Sequence, residues 1–215
     1  MTSIAVIGTG NIGKAVGRQF VDGGEFVIFA SRDKSHADAL SAELGGKAKS
    51  ATLAEALAAS DTVLLALWLD AMKEFLGKYK NSFNDKIVID PSNPISFAED
   101  GKVRRTLPDG TSAAMVISPL LPASAHYVKA FGTLGADSLA KSANRAPEKA
   151  VLFYATDDAK AEKTIVRLIM EAGFDPVKAG GINDTLRVEF FGDLNGKPFN
   201  KGEAEAAVKT EPIRR

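Results

Sequence analysis

The sequence predicts an α/β protein: a Rossmann-type doubly wound, mostly parallel sheet with a small C-terminal α/β lobe. Three observations predict it. A short apolar run stops at a glycine-rich turn, a helical spacing of apolar residues follows at once, and the same strand-then-helix alternation recurs along most of the 215 residues. Ser3 to Ile7 reads as the first strand, apolar and ending at Gly8 as a buried parallel strand does. Ile12, Ala15, Val16 and Phe20 then fall on one helical face until Gly23-Gly24 ends the pattern. Phe26 to Ala30 is the second strand, so the opening segment is a βαβ unit with parallel neighbouring strands.

The alternation continues with a helix over 35–44, a weak strand near Ala48, and a short helix ending near Ala59 behind the Thr52/Glu55 capping pair. Asp61 to Leu67 is the next buried strand, a helix spans 70–79, and Lys86 to Asp90 is a strand broken by Pro91 and Pro94. Residues 96–110 are polar and turn-rich and read as a loop or lid. Thr111 to Leu121 reads as a helix strained by Pro119, and His126 to Phe131 as the sixth strand. A strand at 150–155, a helix at 160–172 and a last strand at 175–178 complete the pattern. The dinucleotide-binding domain is placed at 1–145, and 146–215 is the small lobe that packs on it and closes the substrate crevice. An apolar segment, Leu186 to Leu194, precedes a polar and loosely held tail.

Lys plus Arg and Asp plus Glu are 27 each, so no global field draws the chain to nucleic acid or an anionic membrane, and phosphate recognition must be local. There is no cysteine, which removes disulfides, thiolate nucleophiles and cysteine metal sites. No apolar run approaches the length of a membrane span and no signal-like segment precedes the first strand, so the expectation is a cytoplasmic protein. Val188 to Leu194 suits a homodimer contact.

Gly8-Thr9-Gly10-Asn11-Ile12-Gly13 joins a strand to a helix, the context that gives a GxGxxG sequence its meaning. Gly8 permits the tight turn, Gly10 admits a pyrophosphate, and Gly13 lets helix and strands pack closely. The phosphates then meet unpaired amides and the positive end of the helix dipole. At the end of the second strand, where an NAD-binding protein places a carboxylate on the ribose hydroxyls, this chain has Ser31-Arg32-Asp33-Lys34. Ser31, Arg32 and Lys34 favour a ribose phosphate, and charge-assisted bonds from Arg32 alone give about ten- to hundredfold preference for NADP(H). Asp33 facing the ribose in place of Ser31 would weaken or reverse that preference, and the alternative is that Ser31 caps the following helix while Arg32 and Lys34 are solvated surface charge.

Later strand ends also line such a crevice. Leu67 and Trp68, then Ser92, Asn93 and Pro94, then Ala130 are placed against the cofactor. His36 and His126 lack sequence partners that would make a relay or metal site, and both read as structural or solvated. No catalytic side chain and no metal site is expected.

Taken together, Gly8 to Gly13, Ala30-Ser31-Arg32, Asp90-Pro91-Ser92-Asn93-Pro94 and Val128-Lys129-Ala130-Phe131 resemble the NADP oxidoreductases that use coenzyme F420, a deazaflavin. They also resemble the oxidoreductase domain of the STEAP metalloreductases. The resemblance implies that Ser31 and Arg32 contact the ribose phosphate, and that Ala130-Phe131 forms the wall near the nicotinamide and its flavin-like partner. Gly132 stands where those relatives carry Asn, which alters the second-substrate pocket; Thr133 and Leu134 border it, so Phe131 to Leu134 are the substrate-side residues.

Hydride transfer between a nicotinamide and a deazaflavin, or FMN or FAD, needs orientation and exclusion of water without a side-chain acid. That agrees with the missing constellation, and it disfavours a carbonyl or hydroxy-acid dehydrogenase, which wants a positioned proton donor. The stretch after Gly180 is also too short for the large helical domain such dehydrogenases carry. The expected activity is therefore NADP(H)-dependent reduction of a small-molecule redox ring. The alternatives are a reductase of a small carbonyl or imine and a non-catalytic NADP(H)-sensing module.

Overall fold

The computed structural model describes residues 3–210. Ten strands are β1 Ser3–Ile7, β2 Phe26–Ala30, β3 Ala48–Ser50, β4 Thr62–Leu65, β5 Ile87–Asp90, β6 Ile95–Phe97, β7 Val103–Arg105, β8 His126–Ala130, β9 Val151–Ala155 and β10 Asp175–Gly180. Eight helices are α1 Asn11–Asp22, α2 Lys34–Leu44, α3 Leu53–Ala59, α4 Leu69–Tyr79, α5 Ala113–Ile117, α6 Ala136–Ser142, α7 Ala159–Glu171 and α8 Lys201–Lys209.

Eight strands form one sheet in the order β10-β9-β8-β5-β4-β1-β2-β3. Every pairing is parallel except β8 with β9, where Lys129 faces Ala155 and Ala130 faces Tyr154. Side chains alternate across the sheet. Ile4 and Val6 enter a core with Val16 and Phe20 of α1 and Ile165 and Leu168 of α7, whereas Ala5 and Ile7 meet Leu57 of α3, Met72 and Leu76 of α4 and Ile117 of α5. The fold is thus helix, sheet, helix, as the sequence predicts. Strand order reverses between β1 and β4, so the loops leaving those two strands diverge and open a crevice beyond their carboxyl ends.

Several elements differ from the expectation. Residues 96–110 are not all loop: β6 and β7 pair antiparallel around the Asp100-Gly101 turn. The helix expected over 111–121 is only α5, because the buried Ser112 caps it by accepting from the Met115 N–H, and a 3₁₀ turn over 118–120 containing Pro119 ends it. The strand expected to run to Leu67 stops at Leu65, where the chain turns over Gly8. A short helix, α6, follows Gly135. The polar tail is not loose up to Lys209. Asn200 and Glu203 close a capping box at the start of α8, and Ala204 is buried with Phe199 against Val151, Phe153 and Val177. That same cluster takes Val188 and Leu194, so the segment expected as a dimer contact spends those side chains within the chain; Phe191 stays 53% exposed. The C-terminal segment extends the main sheet with β9 and β10, so it is continuous with the preceding part. No described helix is long and apolar enough to cross a membrane.

Candidate dinucleotide site

The turn from β1 to α1 is built by its glycines. Gly8 sits at φ +100°, in the left-handed region that disfavours a side chain, and a Cβ there would lie 2.3 Å from the Ala66 carbonyl oxygen. Gly13 is equally closed, with its would-be Cβ 2.0 Å from the Gly8 oxygen. Gly10 differs. A Cβ on Gly10 would meet no atom of the chain within 4 Å, so packing does not explain the missing side chain, whereas an approaching phosphate does. Gly10 is the N-cap of α1 and supplies no side-chain cap, and Asn11 beside it is exposed, so the first-turn amides are free to bind an anion. The open turn and the uncapped helix end together fit a pyrophosphate.

At the end of β2 the alternatives left by the sequence are resolved by hydrogen bonding. Asp33, not Ser31, caps α2: its carboxylate accepts from the Ser35 N–H at 3.0 Å and the Ser35 hydroxyl at 2.7 Å, and these bonds hold its pKa below the ordinary value. Ser31 Oγ donates to the Asp33 carbonyl at 2.5 Å. Lys34 is drawn to Asp38 at 2.5 Å. Arg32 is exposed and, among the described residues, has no ion-pair partner, which leaves its guanidinium as the available cation at this corner. A cavity of about 340 Å³ lies between the glycine turn and α2, lined by Thr9, Gly10, Asn11 and Lys14 on one side and His36, Leu40 and Glu43 on the other. His36, read as solvated, thus also borders this cavity. A larger one, about 650 Å³, follows the seam of α1 and α6 down to Gly23 and Glu171, and the strand ends do not line it.

Leu67 lies against the turn, its Cδ2 3.1 Å from the would-be Cβ of Gly8. Trp68, at the start of α4, is 61% exposed and meets Phe97 of the β6–β7 hairpin edge to face at 6.2 Å. Both rings of this pair are largely exposed, so Trp68 is not a core side chain. Ser92 and Pro94 are buried and Asn93 half-buried after β5; Ala130 ends β8.

The turn after β8 requires a correction. Phe131 was expected to face the second substrate, but it is fully buried with its ring edge-to-face on Phe20 at 5.3 Å, in the core under α1. Its backbone, at φ +63°, turns the chain into Gly132. A Cβ on Gly132 would lie 2.6 Å from the Pro91 carbonyl oxygen, so a side chain there would force the two loops apart. Its carbonyl accepts from Asn93 Nδ2 at 2.9 Å and Asn195 Nδ2 at 3.1 Å. Thr133 and Leu134 are buried at 2% and 3%, so only their backbones can border a ligand in this arrangement.

A group of buried charges was not anticipated. Asp90 and Glu189 are 0% exposed and Lys129 is 2% exposed. Lys129 Nζ lies 3.2 Å from Asp90 and 3.4 Å from Glu189, and donates to the Ser92 carbonyl and, at 3.3 Å, to Ser92 Oγ. The Tyr127 hydroxyl donates to Asp90 at 2.6 Å; burial and that carboxylate raise the phenol's pKa well above its usual value. Glu189 accepts from the Ala113 N–H at 2.8 Å, and burial raises its carboxyl above the ordinary range despite Lys129. The sequence did hold a signal: Lys129 interrupts an apolar central strand, where both faces are covered. His126, by contrast, lies at the opposite end of β8, bonded at 2.7 Å to Asp158, the cap of α7.

Residues 3–94 match the family described as NADP oxidoreductase, coenzyme F420-dependent. Over 197 residues the chain is 27% identical to the F420-dependent NADP reductase of Methanothermobacter thermautotrophicus, covering 86% of this chain and 84% of that protein. To the F420-dependent NADP reductase of Methanothermobacter marburgensis it is 30% identical over 146 residues, 63% of this chain and 65% of that one. The solved structure of the hypothetical protein SMa0349 from Sinorhizobium meliloti superposes with a TM-score of 0.82 at 30% identity, covering 94% of this chain and 96% of that one. A structure from Arthrobacter sp. FB24, assigned as an F420-dependent NADP reductase, shares the fold at a TM-score of 0.72 and 22% identity, covering 85% and 86%. The glycine turn and the Ser31-Arg32 corner thus lie within the segment, residues 3–94, that matches the coenzyme F420-dependent NADP oxidoreductase family, and the chain as a whole is similar to NADP reductases that use that coenzyme.

Proposed function

We propose that this chain is an NADP(H)-dependent oxidoreductase that moves a hydride between the nicotinamide and a deazaflavin of the coenzyme F420 type, with FMN or FAD as the alternative ring. The observation that carries the reading is the open Gly10 at an uncapped α1, paired with an Arg32 free of ion pairs among the described residues. In this reading the amides of Gly10 and Asn11 hold the pyrophosphate, with Thr9 and Ile12 shaping the turn, and Ser31 and Arg32 hold the ribose phosphate. Leu67, Ser92, Asn93, Pro94 and Ala130 border the nicotinamide. When bound, the reduced nicotinamide supplies the hydride.

The residues of this chain then orient two rings and keep water out. The backbone of Gly132 to Leu134 forms one wall for the second ring, and the C-terminal lobe, through residues 188–195, supplies the other. Trp68 and Phe97 cover the mouth. Such a transfer needs contact distance and a dry site and no side-chain proton donor. Support for a deazaflavin comes from the family of residues 3–94 and from the two methanogen reductases.

Calorimetry on Arg32→Ala tests the nucleotide half: the NADPH dissociation constant rises about ten- to hundredfold while NADH changes little. Equal weakening of both nucleotides would make the arginine structural. NADPH oxidation against F420, FMN, FAD and a panel of carbonyls and imines tests the other half, with turnover expected on the deazaflavin. Turnover confined to the carbonyl and imine panel would replace this reading, and tight NADPH binding without oxidation by any acceptor would make the chain a sensing module.

A further inference from the structure

Asp90, Lys129 and Glu189 take no part in the hydride path above, yet all three are at most 2% exposed. A buried ammonium is costly unless paired and hydrogen-bonded, and an apolar side chain of similar size would fill the space at no such cost. Lys129 does more than neutralise its neighbours. Besides facing Asp90 at 3.2 Å and Glu189 at 3.4 Å, it donates to the carbonyl of Ser92, the residue that opens the nicotinamide-side wall.

From Ser92 the bonds continue outward. Asn93 donates to the Gly132 carbonyl at 2.9 Å and accepts from the Phe190 N–H at 2.6 Å. Asn195 donates to the same Gly132 carbonyl at 3.1 Å and to that of Val188 at 2.9 Å. Glu189 lies in the same segment and is anchored to the N–H of Ala113 at 2.8 Å. One ammonium therefore sits where β5, β8 and the segment 188–195 converge. The glycine turn and Ser31-Arg32 belong to β1 and β2, on the other side of β4 in the sheet.

We infer that Lys129 is a positioning residue for the second substrate: acting through Ser92, Asn93 and Glu189, it fixes segment 188–195 against the Gly132 turn and so sets the pocket for the second ring, leaving the nucleotide half untouched. The inference rests on the reading of the crevice given under Proposed function.

The test removes the charge pair as a pair, since a lone buried Asp90 would confuse folding with positioning. Asp90→Asn/Lys129→Met is compared with Asp90→Asn/Lys129→Gln, whose amide can still donate to the Ser92 carbonyl. Hydrogen exchange across 188–195 accelerates about tenfold or more in the Met variant and by less in the Gln variant. KM for F420 rises about fivefold or more in the Met variant, while the NADPH dissociation constant stays within about twofold of wild type. A folded Met variant keeping wild-type protection in 188–195 overturns the inference, as does a Gln variant that loses as much protection as the Met variant, or an NADPH affinity that falls in step with that for F420. Wild-type protein gives a check that needs no variant: the amides of 188–195 and those around Gly132 open as one unit, and independent opening overturns it. If wild type turns over no F420, the reading of the second substrate fails, and the exchange data still judge Lys129.

Discussion

Gly10 and Gly13 answer substitution in opposite ways. Gly10 has φ −71°, acceptable to any L residue, and open space where a Cβ would go. Gly10→Ala therefore melts close to wild type, within about 1 kcal/mol, while NADPH affinity falls. Gly13→Ala would drive a Cβ into the Gly8 carbonyl, and the protein loses stability before any question of binding arises. Thermal melts with and without NADPH separate the two. Glu189 gives a pH signature. Its folded pKa is raised by burial, so the folded state holds the proton more tightly than the unfolded chain, and stability present below the ordinary carboxylate range is lost as pH rises through the folded value. Glu189→Gln cannot lose a proton, so urea denaturation at pH 5 and pH 8 shows a smaller fall in stability between the two than wild type shows. At this scale the sequence told what local chemistry decides: three glycines at fixed spacing and a cation after a strand. It did not tell that Asp33 would turn into its own helix, nor that Lys129 would find Glu189, because those depend on which segments meet in space.

Elements were legible where an apolar face repeated and illegible where backbone bonding alone defines them. β6 and β7 are three-residue strands with few buried side chains, so no periodicity announced them, although the Asp100-Gly101 turn did. α6 is a seven-residue helix behind a glycine. α8 carried a readable signal, Asn200 followed by Glu203, that weighs more than its polar composition suggests. Its other end depends on a residue outside it: Arg187, 7% exposed, donates to the carbonyls of Ala207 at 2.8 Å and Val208 at 3.0 Å and pairs with Asp193 at 2.7 Å. Arg187→Met leaves those two carbonyls and the half-buried Asp193 carboxylate without their donor, at a cost of about 2 to 4 kcal/mol. Limited proteolysis of the variant should cut first between residues 195 and 209, with NADPH affinity retained; unchanged resistance in that stretch would mean that α8 is held by its apolar contacts alone.

For the molecule as a whole, the sheet decides how the parts behave together. β9 and β10 belong to the segment read as a small lobe packing on the first domain, and their Leu152 and Tyr154 share one buried cluster with Ile4, Phe20 and Phe131. A core that runs from the first strand to the ninth should melt as one unit. Calorimetry and far-ultraviolet dichroism are thus expected to give a single coincident transition that NADPH shifts upward as a whole; two separated transitions would restore an independent lobe. The single tryptophan of the chain caps the start of α4, just after β4, largely in solvent and edge-on to Phe97, where the proposed crevice opens. Its placement makes the protein its own optical instrument. Indole emission overlaps the absorption of a reduced nicotinamide, so occupancy of the crevice is readable as energy transfer from one known position, without a label and before any chemistry occurs.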